Sequence, residues 1–125
     1  MIQRFIELGE GYSDLYELIE IAETNTHRLT TFIALKTKIN EKEVCSLAIV
    51  LQSAGESNFQ PIYICREGVA EHSKRWDLFQ DCASTHNKEL KILEVKQSNE
   101  FSEKELYYQY LTGIFRMQHI IPAWQ

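Results

Sequence analysis

A single layered α+β domain, with helices packed on a mixed sheet of about four strands, is predicted by three features of this sequence. The spacing of apolar residues switches repeatedly between a period near 3.6 and a period of 2. Residues 28–51 read as two strands joined by a tight turn. The composition, 44% hydrophobic and 25% charged over 125 residues, is that of an ordinary globular chain with enough apolar surface for one core. The predicted element order is α-β-β-β-α-β-α, preceded by a segment of open character.

That first segment is residues 2–8. Ile2, Phe5 and Ile6 suit a helix, whereas Ile2, Arg4, Ile6 and Leu8 alternate as in a strand; the extended form is preferred. Gly9-Glu10-Gly11 then breaks any element. Asp14 with Glu17 three residues on has capping-box spacing, so a helix is expected there. Leu15, Leu18, Ile19 and Ala22 form its buried face, and Asn25 can stop it by turning left-handed.

From Arg28 the period becomes 2. Leu29, Thr31, Ile33 and Leu35 fall on one face, with Thr30, Phe32 and Ala34 on the other, as in a strand buried on both sides. Asn40-Glu41-Lys42 reads as the turn, and Val44 to Leu51 returns antiparallel. Helices starting near Asp14 and Ser102 are expected to cover this hairpin. Gln60 to Cys65 forms the next strand, with Pro61 facing an unpaired side because it has no N–H to donate.

Ser73 to His86 places Trp76, Phe79, Cys82 and Ala83 on one helical face, with Asn87 as the stop. Leu90 to Val95 is a short strand, for which this helix would be the crossover if the two strands flanking it in sequence are parallel neighbours. Phe101 to Leu106 combines a capping box with a hydrophobic staple, Phe101 on Leu106. The last helix then runs to about His119, with Tyr107, Tyr110, Leu111, Ile114 and Phe115 inward and Pro122 beyond it.

Charge and composition narrow the functional classes. Net charge is -5, and the first 23 residues hold six carboxylates against Arg4 alone, which disfavours general nucleic-acid binding. Arg28, Lys36, Lys38 and Lys42 cluster on the hairpin, where lysines commonly discourage edge pairing. No apolar run approaches the ~18 residues of a membrane span, and the start has no signal-peptide pattern. Cys45, Cys65 and Cys82 are odd in number and sit within apolar patterns, as expected of buried, reduced thiols in a cytoplasmic protein. The four histidines lack metal-ligand spacing, and neither a metal nor another cofactor is expected.

Three stretches, IQRFIELGEGYSDLYELIEIAETN, FQPIYICREG and EKELYYQYLTGIFRMQHIIP, together resemble a family of small uncharacterised proteins of low-GC Gram-positive bacteria, some of whose members carry a methylthioribose kinase label. The residues do not assemble the phosphate cradle, lysine and acidic magnesium ligands of phosphoryl transfer. In Gly9-Glu10-Gly11 the third glycine of a dinucleotide fingerprint is replaced by Asp14. The element order is also similar to restriction-endonuclease-like folds. Glu43 could stand for their first acidic residue, but the strand reading Gln60-Pro61-Ile62-Tyr63-Ile64-Cys65 has neither the carboxylate nor the lysine that this chemistry needs.

Two candidate regions remain. Tyr63, Arg66, Glu67 and His72 lie near the end of the third strand, where a strand-to-helix loop can bind a ligand and where Cys65 with His72 could form a nucleophile pair. Tyr108, Arg116, His119 and Trp124 concentrate interface-forming residues at the C-terminus. Tyr107 and Tyr108 point about 100° apart on a helix, so at least one ring reaches the surface. The expected function is a non-enzymatic interaction or regulatory module forming a homodimer through this second region. The alternative is an enzyme or ligand-binding domain using the first.

Overall fold

The computed structural model describes residues 2–8, 13–39, 41–53 and 59–121. They fall into two compact units, Met1–Glu94 and Val95–Gln125. The first contains β1 (Ile2–Glu7), α1 (Ser13–Thr24), β2 (Leu29–Ile39), β3 (Lys42–Leu51), β4 (Phe59–Val69), α2 (Lys74–Thr85) and β5 (Leu90–Glu94). The second contains a short 3-10 turn, Ser98–Glu100, and α3 (Lys104–Met117). None of the described helices is long and apolar enough to cross a membrane.

The sheet has five strands in the order β1-β4-β3-β2-β5. Residues 2–7 are extended, pairing parallel with β4 from Ile2↔Phe59 to Glu7↔Ile64, and add the fifth strand to the four expected. The β2–β3 hairpin is antiparallel, as its alternation and turn imply. β5 pairs parallel with β2, from Phe32↔Leu90 to Lys36↔Glu94. Thus β4 and β5 are not neighbours, and the chain through α2 carries the path past β3 and β2 before β5 joins. Pro61 pairs with Arg4 of β1, and on its other side the ladder to β3 begins only at Ile62, so the proline faces an unpaired position there as expected.

One core lies on the sheet face formed by Phe32, Ala34, Cys45, Leu47, Ile49, Leu51 and Cys65, filled by Leu15, Leu18 and Ala22 of α1 and Trp76, Phe79, Cys82 and Ala83 of α2. The alternate residues Ile33, Leu35, Ala48, Val50, Ile62 and Ile64 are also fully buried. The central strands are therefore apolar on both faces, which explains their near-continuous hydrophobic sequence.

Leu29 departs from the simple alternation. Between Leu29↔Leu51 and Thr31↔Val50 one residue of β2 is extra, a β-bulge that turns Leu29 onto the Phe32 face. Thr30, the extra residue, uses its hydroxyl to donate to the Val50 carbonyl at 2.9 Å.

The helix ends are set by local chemistry. Ser73 caps α2, accepting a bond from the Trp76 N–H. At its other end Asn87 is left-handed at φ 56°, and Lys88 N–H donates to the Ala83 carbonyl at 2.9 Å, a Schellman closure. Asn25 does not act this way: its φ is -127°, and it holds the end of α1 through a side-chain bond to the Ile21 carbonyl. Asp14 lies within α1, and its side chain falls outside the described residues.

α3 also differs at its start from the reading of its sequence. Its N-cap is Glu103, without a side-chain cap bond, and the capping box lies upstream between Gln97 and Glu100. Phe101 meets the rings of Tyr107 and Tyr110, with centroids 5.7 and 5.1 Å away, and Leu106 is exposed. Aromatic contact has replaced the expected staple. Of the five residues expected inward, Tyr107, Leu111 and Phe115 are buried, and Tyr110 and Ile114 are half-buried.

Candidate functional site

The densest polar constellation described sits where β2, β3 and the β4–α2 connection meet. Lys36 follows Phe32 and Ala34 in phase, so strand periodicity directs it towards the core-bearing face. A lysine there needs anionic partners. Its ammonium reaches Glu43 Oε2 at 3.2 Å and Glu71 Oε1 at 2.9 Å. The Glu71 oxygen is shut off from water, which makes the lysine its charge partner.

The backbone builds this contact in two steps. Between Cys45↔Val69 and Leu47↔Cys65, four steps along β4 oppose two along β3, so a wide irregularity occupies residues 66–68. Next, Ser73 N–H and Ser73 Oγ both return to the Ala70 carbonyl, closing a turn that places His72 at φ 65°. A positive φ at the third turn position is normally met by glycine or asparagine. Glu71, at the second position of the same turn, is thereby presented to Lys36.

Electrostatics fix the protonation states. Hydrogen bonds that Lys36 donates to Glu71 first and Glu43 second hold its pKa well above its ordinary value. Beneath it, Cys45 is pushed up to about 11, first by burial and then by the Glu71 carboxylate. At neutral pH the lysine is a cation and the thiol is protonated, so neither is a ready nucleophile. The arrangement joins the hairpin to the β4–α2 turn and presents a carboxylate-flanked cation at one end of the sheet.

Of the residues expected near the strand end, the side chains of Tyr63 and His72 are described. Tyr63 is half-buried and packs against the core, opposite Ile49 and Ile6. Arg66 and Glu67 have their backbone on the irregular part of β4, and their side-chain roles fall outside the described residues. His72 is exposed, whereas Cys65 is fully buried in the core, which corrects the idea of a Cys65–His72 nucleophile pair. The hairpin cations also have other work. Arg28 donates through Nε and Nη2 to the Gln52 carbonyl, and β2 is an inner strand as far as Lys36.

A thiol–imidazole contact occurs at the end of α2. His86 Nδ1 donates to the Cys82 carbonyl at 2.8 Å, with Cys82 Sγ 3.9 Å away and the Phe32 ring stacked at 6.2 Å. Burial pushes the Cys82 thiol up to about 11, opposite to the shift of an activated nucleophile. All three cysteines are buried free thiols. Among the described residues, no three His, Cys, Asp or Glu side chains converge to hold a metal.

In the C-terminal region, Tyr108 is half-buried with its ring 5.5 Å from Tyr107, and Arg116 is half-buried on the next turns of α3. His119 is left-handed at φ 59°, and the Ile120 N–H donates to the Phe115 carbonyl at 2.8 Å, so this histidine occupies the Schellman position that ends the helix. Trp124 and Pro122 fall outside the described residues. Sequence reading missed the Lys36–Glu43–Glu71 contact, although a lysine in phase with Phe32 and Ala34 was a usable signal. Glu71 could not be found that way, because a turn supplies it.

A family model described as a domain of unknown function, DUF7147, matches residues 1–121. The chain belongs to this family. Comparisons with curated proteins and with solved structures give no match. Membership in DUF7147 thus spans both compact units and assigns no chemistry to either.

Proposed function

We propose that this DUF7147 chain is a non-enzymatic interaction or regulatory module that acts by self-association as a homodimer, folding as one domain over 1–125. The observation that carries the reading is the state of its strongest polar cluster. Lys36 is neutralised by two carboxylates of the same chain, and the thiol below it is held protonated. Such a cluster braces a fold more readily than it turns over a substrate. A bacterial origin is carried over from the sequence resemblance. Buried free thiols fit a reducing, cytoplasmic setting.

The second reading is a ligand-binding domain or enzyme at the same end of the sheet. It draws on the strand irregularity at 66–68 and on left-handed His72, since such backbone features often accompany sites. Sedimentation at tens of micromolar separates the two. A dimer is expected, with no nucleotide hydrolysis and no magnesium-dependent DNA cleavage by the same preparation. A monomer, or turnover that follows the protein and disappears on Lys36→Ala, would reverse the order of the readings.

A further inference from the structure

α3 carries a second face, distinct from its buried one. Leu106, Tyr110, Gly113 and Met117 succeed one another at helical intervals of four, three and four, which confines them to an arc of about 60°. Leu106 is 41% exposed, Met117 is 78% exposed, and Gly113 is exposed. Tyr110 is half-buried and fixed from behind, its hydroxyl accepting the Lys96 N–H at 3.0 Å and its ring against Phe101. Glycine is the poorest helix former after proline, yet a Cβ at position 113 would meet nothing within 4 Å. Among the described residues, none makes a close approach that would require a glycine here.

We infer that this face is the contact surface for a second copy of the chain, with the two α3 helices crossing antiparallel about a two-fold axis that passes between Leu111 and Thr112. The inference rests on the self-association proposed above and sets its contact on the Leu106–Met117 face, about 170° around α3 from Tyr108. Leu106 and Met117 are equidistant from that axis, as are Tyr110 and Gly113. A two-fold operation therefore sets Leu106 against the partner's Met117, and the Tyr110 ring over the partner's Gly113, large against small at both positions. Charge follows the same symmetry. Glu105 and Arg116 lie on one flank of the face, near opposite ends, so each meets its opposite on the partner. A parallel pairing would instead oppose Leu106 to Leu106, Gly113 to Gly113 and like charges to like.

The test is disulfide trapping of the full chain, whose native cysteines are buried. A chain carrying both Leu106→Cys and Met117→Cys is expected to form a covalent dimer under mild oxidation. Either change alone should not, because like positions would be about 16 Å apart along the axis. In parallel, Gly113→Leu should raise the dissociation constant at least tenfold without loss of helix. A wild type that dimerises while the double variant fails to cross-link, the single variants cross-link equally, or Gly113→Leu leaves affinity unchanged overturns this geometry and leaves self-association standing. A wild type that is monomeric at tens of micromolar overturns both.

Discussion

Helices α2 and α3 are of similar length and close with the same device, but their outer faces differ. Each ends in a Schellman motif, with Asn87 or His119 left-handed and the following N–H returned to the helix at 2.9 or 2.8 Å. Each has a regular buried stripe, Trp76, Phe79, Cys82 and Ala83 in one and Tyr107, Leu111 and Phe115 in the other. On its exposed side α2 shows mainly polar groups such as Lys74, Asp77, Gln80 and Asp81, whereas α3 shows Leu106, Gly113 and Met117 among its polar residues. Burial of one face accounts for the apolar residues of α2 except Leu78, which is also 41% exposed. For α3 it accounts for half of the apolar pattern.

The largest effect that would set the two helices apart is loss of the α2 core. Phe79 is fully buried with its ring 5.3 Å from Phe32, so Phe79→Ala should cost about 3–5 kcal/mol in urea unfolding. A cost below about 1 kcal/mol would mean that α2 is not anchored as described.

Alkaline unfolding sharpens the contrast, because α2 carries Cys82 and α3 has no cysteine. Cys45 and Cys82 are raised from 9.0 to about 11, so between these values the unfolded chain releases thiol protons that the folded one keeps. Stability should therefore fall as pH rises from 9 to 11. The raised lysine acts in the same direction at higher pH: the Lys36 contribution is fully present below 10.5 and is lost as pH climbs through its folded value. Urea midpoints across this range should decline, and Cys82→Ala should flatten the earlier part. A wild-type midpoint independent of pH would contradict the burial of both thiols.

The smallest effect concerns the two caps. His119→Gly should stabilise by about 1 kcal/mol and Asn87→Gly by less, since asparagine already tolerates the left-handed region better. Thermal melts would measure both. If His119→Gly also weakened self-association, the histidine would be a contact residue as well as a cap.

Much of the fold was legible because its elements obey one period at a time. The four buried positions of α2, the hairpin from residue 29 to 51 and the apolar phase of α1 are all present in the spacing of the sequence. Features that break the period were not. The bulge at Thr30 reverses Leu29, and the wide irregularity of β4 spans 66–68; both arise from pairing with another strand, which no local pattern records. The partner of β5 was likewise a matter of tertiary choice. At the candidate sites, sequence reading named His72 and His119 without their backbone positions and did not name Lys36 among them. His72 and His119 hold left-handed turn and cap positions, and the cation described between two carboxylates is Lys36.

The strand order has a consequence for the chain as it is synthesised. β1 emerges first, but its neighbour among the described strands is β4, and the Gln3–Gln60 contact spans 57 positions. β2 and β3 can close on each other as soon as the turn between them is made, and β4 can then add to β3. β1 is left waiting as an unpaired strand until β4 has left the ribosome, and β2 keeps an open side until β5 follows. Closing loops of this length slows folding more than it weakens the final state. A nascent chain halted within α2 would thus hold four strands of the sheet with the β2 edge still open to other chains.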